Sequence, residues 1–382
     1  MTIHSDLEQL SSIDILLFGD FCPYNAGANS KLRVGPELKR LMEQAQFRAV
    51  NLECPITESE QKIVKSGPHL KAPPNSVALM KELGISICSL ANNHILDYTH
   101  EGIEDTCEAL DDVGIIHFGL TGEYGKEYEL IEINNKRVSL LSFTENEFST
   151  DLRCGVAANA LDPAIQFSHI HQAKHVSDFV IIQFHGGVEL YPYPTPEMQK
   201  YARFMIDIGA DCVICHHSHI VSGYEEYKGK PIAYSLGNFF FPEAGNSDSW
   251  YKGLVAAINI EDRLKVDFFM TRYCMETGVI DFVKDEEFKG TIVPLNQVIA
   301  NPEVLASKWD ALCQSLITKT MMGILRPPRI MRLMIRFGLL PNYIRKRTDA
   351  SLLNLIRCES HRYKLITTIR IQEEKKNVGR DT

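Results

Sequence analysis

Residues 178–242 read DFVIIQFHGGVELYPYPTPEMQKYARFMIDIGADCVICHHSHIVSGYEEYKGKPIAYSLGNFFFP. Three short apolar runs (FVIIQF, DCVIC and PIAYSL) stop abruptly at polar residues: His185-Gly186-Gly187, His216-His217-Ser218-His219 and Gly237-Asn238. A helix-like segment from Pro196 to Gly209 separates the first two. Short apolar runs alternating with helices read as buried strands of an α/β domain. Ligands of such sheets gather beyond the carboxyl ends of the strands, and this stretch delivers imidazoles there. In a strand of period two, His217 and His219 point the same way and His216 points away.

Upstream, the same grammar repeats. IDILLFG (13–19) ends on Asp20, and AVNLE delivers Asn51 and Glu53. ISICSLA ends on Asn92-Asn93-His94. Helices are expected at Pro36–Phe47, at SVALMKELG with Gly84 as its cap, and from His100 to Val113. YELIEIN-NK-RVSLLSF forms a hairpin turning at Asn134-Asn135, and LVAAINI with RLKVDFFM forms another. A helix from Pro163 to Val176 carries His169, His171 and His175 on a solvated face.

At 382 residues and a net charge of −9, the chain is long enough for a sizeable core and is not expected to bind nucleic acid. The N-terminus MTIHSDLEQLSSID has no apolar leader, and no run is long enough to span a membrane, so the expected location is cytoplasmic. Ten cysteines without framework spacing fit a reducing compartment. Cys212 and Cys215, three apart on a strand, fall on opposite faces and pack rather than react.

Beyond residue 295 the pattern is helical and free of site residues, which divides the chain into a 1–295 catalytic-type domain and a 296–382 helical region. Between Asp310 and Asp349 there is no acidic residue, while Lys319, Arg326, Arg329, Arg332, Arg336, Arg345, Lys346 and Arg347 alternate with apolar residues. Residues 319–347 read either as a basic amphipathic segment resting on the inner face of a membrane or as a docked helical lid.

Collected, the strand-end residues Asp20, Glu53, Asn93, His94, His185, His217 and His219 form a mixed oxygen and nitrogen set. It suits Mn, Fe or Zn better than Ca²⁺ or Mg²⁺. The segments GDF, NLECPIT, SLANNHILDY, FHGGVE, ADCVICHHSH and KPIAYSLGNFFF occur in an order that resembles the CapA (PGA_cap, poly-γ-glutamate capsule biosynthesis) family, itself similar to calcineurin-like metallophosphatases. The resemblance covers about 13–243. It implies a four-layer αββα sandwich of two mixed β-sheets, with the helical region appended. It also implies two divalent metal ions: Asp20 and His219 would hold one, Asn93, His185 and His217 the other, and Glu53 would bridge.

On the same resemblance His94 is the general acid, and Glu189, Asn238 and Asp97 line the substrate pocket or orient ligands. The chain departs from the pattern at Cys22, which stands where a histidine is usual and is a further candidate ligand, and at Gly186, which replaces a tryptophan and is expected to open the pocket. The implied activity is hydrolysis of an anionic or phosphorylated capsule-related substrate by a metal-activated water. Two other readings stay open: a non-catalytic capsule-assembly or polymer-binding factor at the membrane, and a γ-glutamyl amide hydrolase or transferase.

Overall fold

The computed structural model describes residues 13–24, 32–243, 245–316 and 342–378, the last eight-residue start (342–349), the end (372–378) and Cys154 by backbone only. Two sheets are stacked face to face. The first runs, edge to edge, through Arg33–Val34, Val279–Phe282, Leu264–Cys274, Lys252–Ile260, Ile15–Phe21, Phe47–Leu52, Ile87–Ser89 and Ile116–Phe118, with Asn238–Phe240 added beside Ile15–Phe21. The second runs through Tyr224–Tyr227, Lys230–Ala233, Cys212–His216, Phe179–His185, Lys136–Thr144 and Glu129–Ile133. Both sheets are mixed: in the first, four parallel strands from Ile15–Phe21 to Ile116–Phe118 adjoin an antiparallel meander, and in the second, hairpins flank a parallel centre.

Three apolar layers hold the stack together, as burial of each sheet's two faces requires. Ile15, Leu17, Ile181, Ile214, Ala256 and Phe268 fill the space between the sheets. Helices Pro36–Gln44, Ser76–Glu82 and Thr99–Asp111 cover the outside of the first sheet through Leu41, Met80 and Ile103. Helices Pro163–Val176 and Pro196–Asp207 cover the second through Ile170 and Met205. The fold is thus the expected α/β sandwich of two mixed sheets with C-terminal helices. Cys212 lies in the middle layer and Cys215 in the outer one, as strand alternation requires. Asn134 and Asn135 both adopt positive φ (51° and 61°) at the tip of the first hairpin, the conformation a two-residue turn demands.

Two expectations, the boundary at residue 295 and the strand parity of His217 and His219, need correction. Helix Asp285–Ile299 runs through the boundary placed at residue 295, and its Phe288, Ile292 and Leu295 are buried between the sheets. The C-terminal helices Asn342–Arg357 and Glu359–Val378 meet the loop after Lys136–Thr144, where Glu359 accepts from Asn146, and helix Pro302–Ser315, whose Trp309 stacks on Tyr363 with centroids 5.2 Å apart and donates to Thr367 Oγ1 at 3.1 Å. The strand Cys212–His216 ends before His217, whose φ is +95°, and His219 has φ +58°. The pairing of those two imidazoles therefore owes nothing to strand parity. The basic stretch 319–347 lies outside the described residues, apart from the backbone of the helix beginning at Asn342. No helix among the described residues is long and apolar enough to cross a membrane.

Candidate metal centre

Parallel pairing sets the two sheets' carboxyl ends along one rim. Asp20 is paired with Asn51 on one side and Asn238 on the other, and His185 with His216. The backbones at Gly19 and Gly237 can meet because Gly19 has no side chain: a Cβ there would sit 1.9 Å from the Gly237 carbonyl oxygen. Gly237 itself turns at φ +67°, a conformation glycine adopts without penalty. Close approach of these two backbones brings Asn238 beside Asp20.

Two groups of ligand atoms converge there, each within 4.8 Å: Glu53, His185 and His217 in one, Asp20, Glu53 and His219 in the other. In the first, His185 Nε2 stands 3.0 Å from Asn93 Oδ1, 3.1 Å from His217 Nδ1 and 3.5 Å from Glu53 Oε1. In the second, His219 Nδ1 is 3.4 Å from Asp20 Oδ2, and its Nε2 is 3.6 Å from Glu53 Oε1. Glu53 belongs to both. All these side chains are at most 8% exposed, and the left-handed backbone at His217 and His219 is a strain that surrounding structure must hold in place.

Electrostatics separates the two carboxylates. Burial alone would raise the Asp20 pKa, but the imidazoles of His216 and His219, each 3.4 Å away, outweigh it and hold Asp20 well below the usual range. Glu53 goes the other way: burial first, then the charges of Asp20 and Glu189, push its carboxyl well up. Neither of its oxygens, both buried, has a hydrogen-bond partner. Kept ionised without a partner, a buried charge of this kind would cost roughly 3–5 kcal/mol, so the carboxyl favours its proton until something compensates it. Burial and the charge of His217 depress the His185 pKa, and burial brings His217 down to about 4. Both imidazoles are therefore neutral, the form that binds metal. His219 is raised, because Asp20 outweighs its burial.

Around the two groups stand the orienting contacts. Asn238 Oδ1 lies 3.1 Å from His219 Nδ1, while its amide donates to the His219 and Trp250 carbonyls. Asn51 Nδ2 donates to Asp20 Oδ1 at 2.8 Å and lies 3.2 Å from His185 Nδ1. Asn92 accepts from the His94 backbone N–H and donates to the Leu52 carbonyl, which fixes the turn carrying Asn93 and His94. His94 Nδ1 is 2.7 Å from Asp97 Oδ2. Asp97 also accepts from Lys65 and from the Leu70 N–H. Burial and Lys65 lower the His94 pKa against the pull of Asp97. Asp97 is held low by His94 and Lys65 in spite of its burial.

The structure brings Asp20, Glu53, Asn93, His185, His217 and His219 together, with His94, Asp97 and Asn238 against them. Glu189 is exposed at the rim and coupled by charge to His217, His219 and His94. Cys22 stands outside both groups. It is fully buried in the layer below the first sheet, where burial and the neighbouring Cys54 raise its pKa and disfavour the thiolate a metal needs. Gly186 does not open the pocket, because a Cβ there would meet Glu145 Cγ at 2.7 Å: the space is filled by Glu145. His216, expected to face away, instead lies 3.4 Å from Asp20 Oδ1, with its Nε2 3.1 Å from Gln183 Oε1. Asn51 was signalled by its spacing of two from Glu53. For Lys65, on a long loop, nothing in the sequence pointed inward.

Residues 26–243 match the family model for the bacterial capsule synthesis protein PGA_cap. The chain belongs to the PGA_cap family. The capsule biosynthesis protein CapA of Bacillus anthracis is 31% identical over 224 residues, covering 55% of this chain and 53% of that one. The PGA biosynthesis protein CapA of Bacillus subtilis is 30% identical over 210 residues, covering 53% and 55%. The chain thus spans about half the length of the curated relatives it matches. Among solved structures, a phosphatase from Mycoplasma pneumoniae aligns at 14% identity with a TM-score of 0.42, covering 71% of this chain and 92% of that one. The PGA_cap match contains every candidate ligand except Asp20 and Cys22, and it ends before the C-terminal helices.

Proposed function

We propose that this PGA_cap family member is a metal-dependent hydrolase acting on a phosphoester in capsule or exopolymer synthesis. The observation that carries the proposal is Glu53: a fully buried carboxylate, without a donor to either oxygen, standing between two sets of convergent ligand atoms. Bridging two divalent cations would compensate it. The set fits Mn, Fe or Zn, with Asp20 and His219 on one ion, Asn93, His185 and His217 on the other. Such a pair, when bound, supplies Lewis acidity toward a phosphoryl oxygen and lowers the pKa of water.

The chain's own groups do the rest. Asp97 binds His94 Nδ1 and so leaves Nε2 as the nitrogen free for substrate. From there it can hydrogen-bond the departing oxygen, and it acts as general acid only once protonated, a form that burial and Lys65 disfavour. Asn238 and Asn51 fix the rings of His219 and His185, the service that outer hydrogen bonds give metal-binding imidazoles. Burial of the rim keeps bulk water out, which strengthens each charge interaction. Peripheral attachment to anionic lipid through 319–347 belongs to the same reading.

Purified full chain supplied with Mn²⁺ should hydrolyse p-nitrophenyl phosphate or its bis ester, lose that turnover in a chelator, and lose it in His217→Ala. Absence of turnover with two metals verified by elemental analysis would overturn phosphoester chemistry in favour of γ-glutamyl amide cleavage or a non-catalytic assembly role.

A further inference from the structure

The C-terminal helices reach the same rim from the other side. Asn146 donates from its backbone N–H and its amide to the two oxygens of Glu359, both at 2.9 Å. Cys358 Sγ lies 3.4 Å from Glu145 Oε2, and the Glu145 N–H donates to the carbonyl of His185 at 3.0 Å. The loop after Lys136–Thr144 is therefore clamped between a candidate metal-binding strand and the start of helix Glu359–Val378. Tyr191, on the loop that follows His185, packs against Trp309, with ring centroids 6.1 Å apart.

Along this seam stand three carboxyl groups, those of Glu145, Glu147 and Glu189. Glu147 and Glu189 interact by charge, and Glu189 joins His217, His219 and His94 on one side to His361 on the other. No Lys or Arg among the described residues forms an ion pair with Glu145, Glu147 or Glu189; the nearby Lys65 is committed to Asp97. Asn354 sits between them with its Nδ2 3.5 Å from Glu147 Oε2 and 3.4 Å from His361 Nδ1. Its Oδ1 is buried without a partner, on a residue only 7% exposed. A buried amide oxygen with no donor is rare enough to call for one.

We infer that the C-terminal helices complete the substrate site, and that Glu147, Glu189 and the Asn354 amide oxygen receive a cationic amine carried by the substrate beside its phosphoryl group. The inference rests on the hydrolase reading and adds the substrate's chemistry: the metal centre takes the anionic end, the helical wall the ammonium. An ammonium has three donors and no acceptor, which matches a wall of two carboxylates and an orphaned carbonyl.

Calorimetric titration of the Mn²⁺-loaded full chain with O-phosphoethanolamine and with ethyl phosphate tests this without relying on turnover. Phosphoethanolamine should bind about tenfold more tightly, the scale of a charge-assisted hydrogen bond. In Asn354→Leu and, separately, in Glu147→Gln, that preference should shrink to less than about twofold, with ethyl phosphate affinity and metal content unchanged. Equal affinities in the parent chain, or a preference surviving both variants, would overturn the inference while leaving the hydrolase reading intact. If neither anion binds the metal-loaded parent, the hydrolase reading fails and this inference falls with it. Should Asn354→Leu not fold, Glu147→Gln decides alone.

Discussion

Glu53 and Asp97 are both 0% exposed carboxylates on the same rim, yet their surroundings are opposite. Asp97 is satisfied from every side, by Lys65, the Leu70 N–H and His94, and its pKa is lowered. Glu53 has no donor at either oxygen, and its pKa is raised. A buried carboxylate that the protein itself neutralises is part of the scaffold. One left without compensation marks a place for a ligand the chain does not supply. The rim therefore has a finished half, which positions His94, and an unfinished half, whose side chains could hold metal ions.

The comparison breaks first at Glu53. Glu53→Gln keeps the shape and removes the charge, so Mn²⁺-dependent turnover should disappear and elemental analysis should find at least one metal lost per chain. The metal-free variant should melt above the metal-free parent at alkaline pH, where Glu53 is forced to ionise against its burial. The parent should gain about 2.7 kcal/mol from metal at a hundredfold excess over Kd, and the variant much less. A metal-free Glu53→Gln chain that melts lower would show that the carboxylate is satisfied after all.

Asp97→Asn acts on the other half. Metal content should stay at the parent's value while turnover falls about 10- to 100-fold, the usual effect of losing an orienting partner. Loss of metal in that variant would erase the distinction between the two halves.

How much of this was legible beforehand depends on what each element's geometry obeys. Strand ends, the Asn134-Asn135 turn, helix Pro163–Val176 and the split of Cys212 from Cys215 follow local rules of period and turn chemistry, and the sequence shows them. Asp20, Glu53, Asn93 and His185 were legible as strand-end residues for the same reason. His216 was misread because period two stops where the backbone turns left-handed at His217. Lys65, Glu145, Asn354 and His361 reach the rim through tertiary docking of a loop and two helices, which leaves no periodic trace. Gly186 misled because an absent side chain says nothing about which neighbour fills the gap.

A smaller effect separates the loop under the helices from the metal centre. Burial, above all, raises Glu145 from an ordinary value of 4.5 to about 8, and Glu147 to about 7. The folded chain then holds more protons than the unfolded one between those values and the ordinary carboxylate range. Stability from these groups is full at acid pH and is lost as pH rises through about 7 to 8. The metal-free melting temperature should therefore fall between pH 6 and pH 9 (on the order of a few degrees), and Glu145→Gln should flatten that slope. An unchanged slope would place the titration elsewhere.

The most direct test is anomalous scattering from crystals of the full chain soaked in Mn²⁺. Two peaks about 3.5–4 Å apart are expected, one beside Asp20 and His219, the other beside Asn93, His185 and His217, with a Glu53 oxygen on each. Absence of any ion at Glu53, or metal bound only at other residues, would contradict the account.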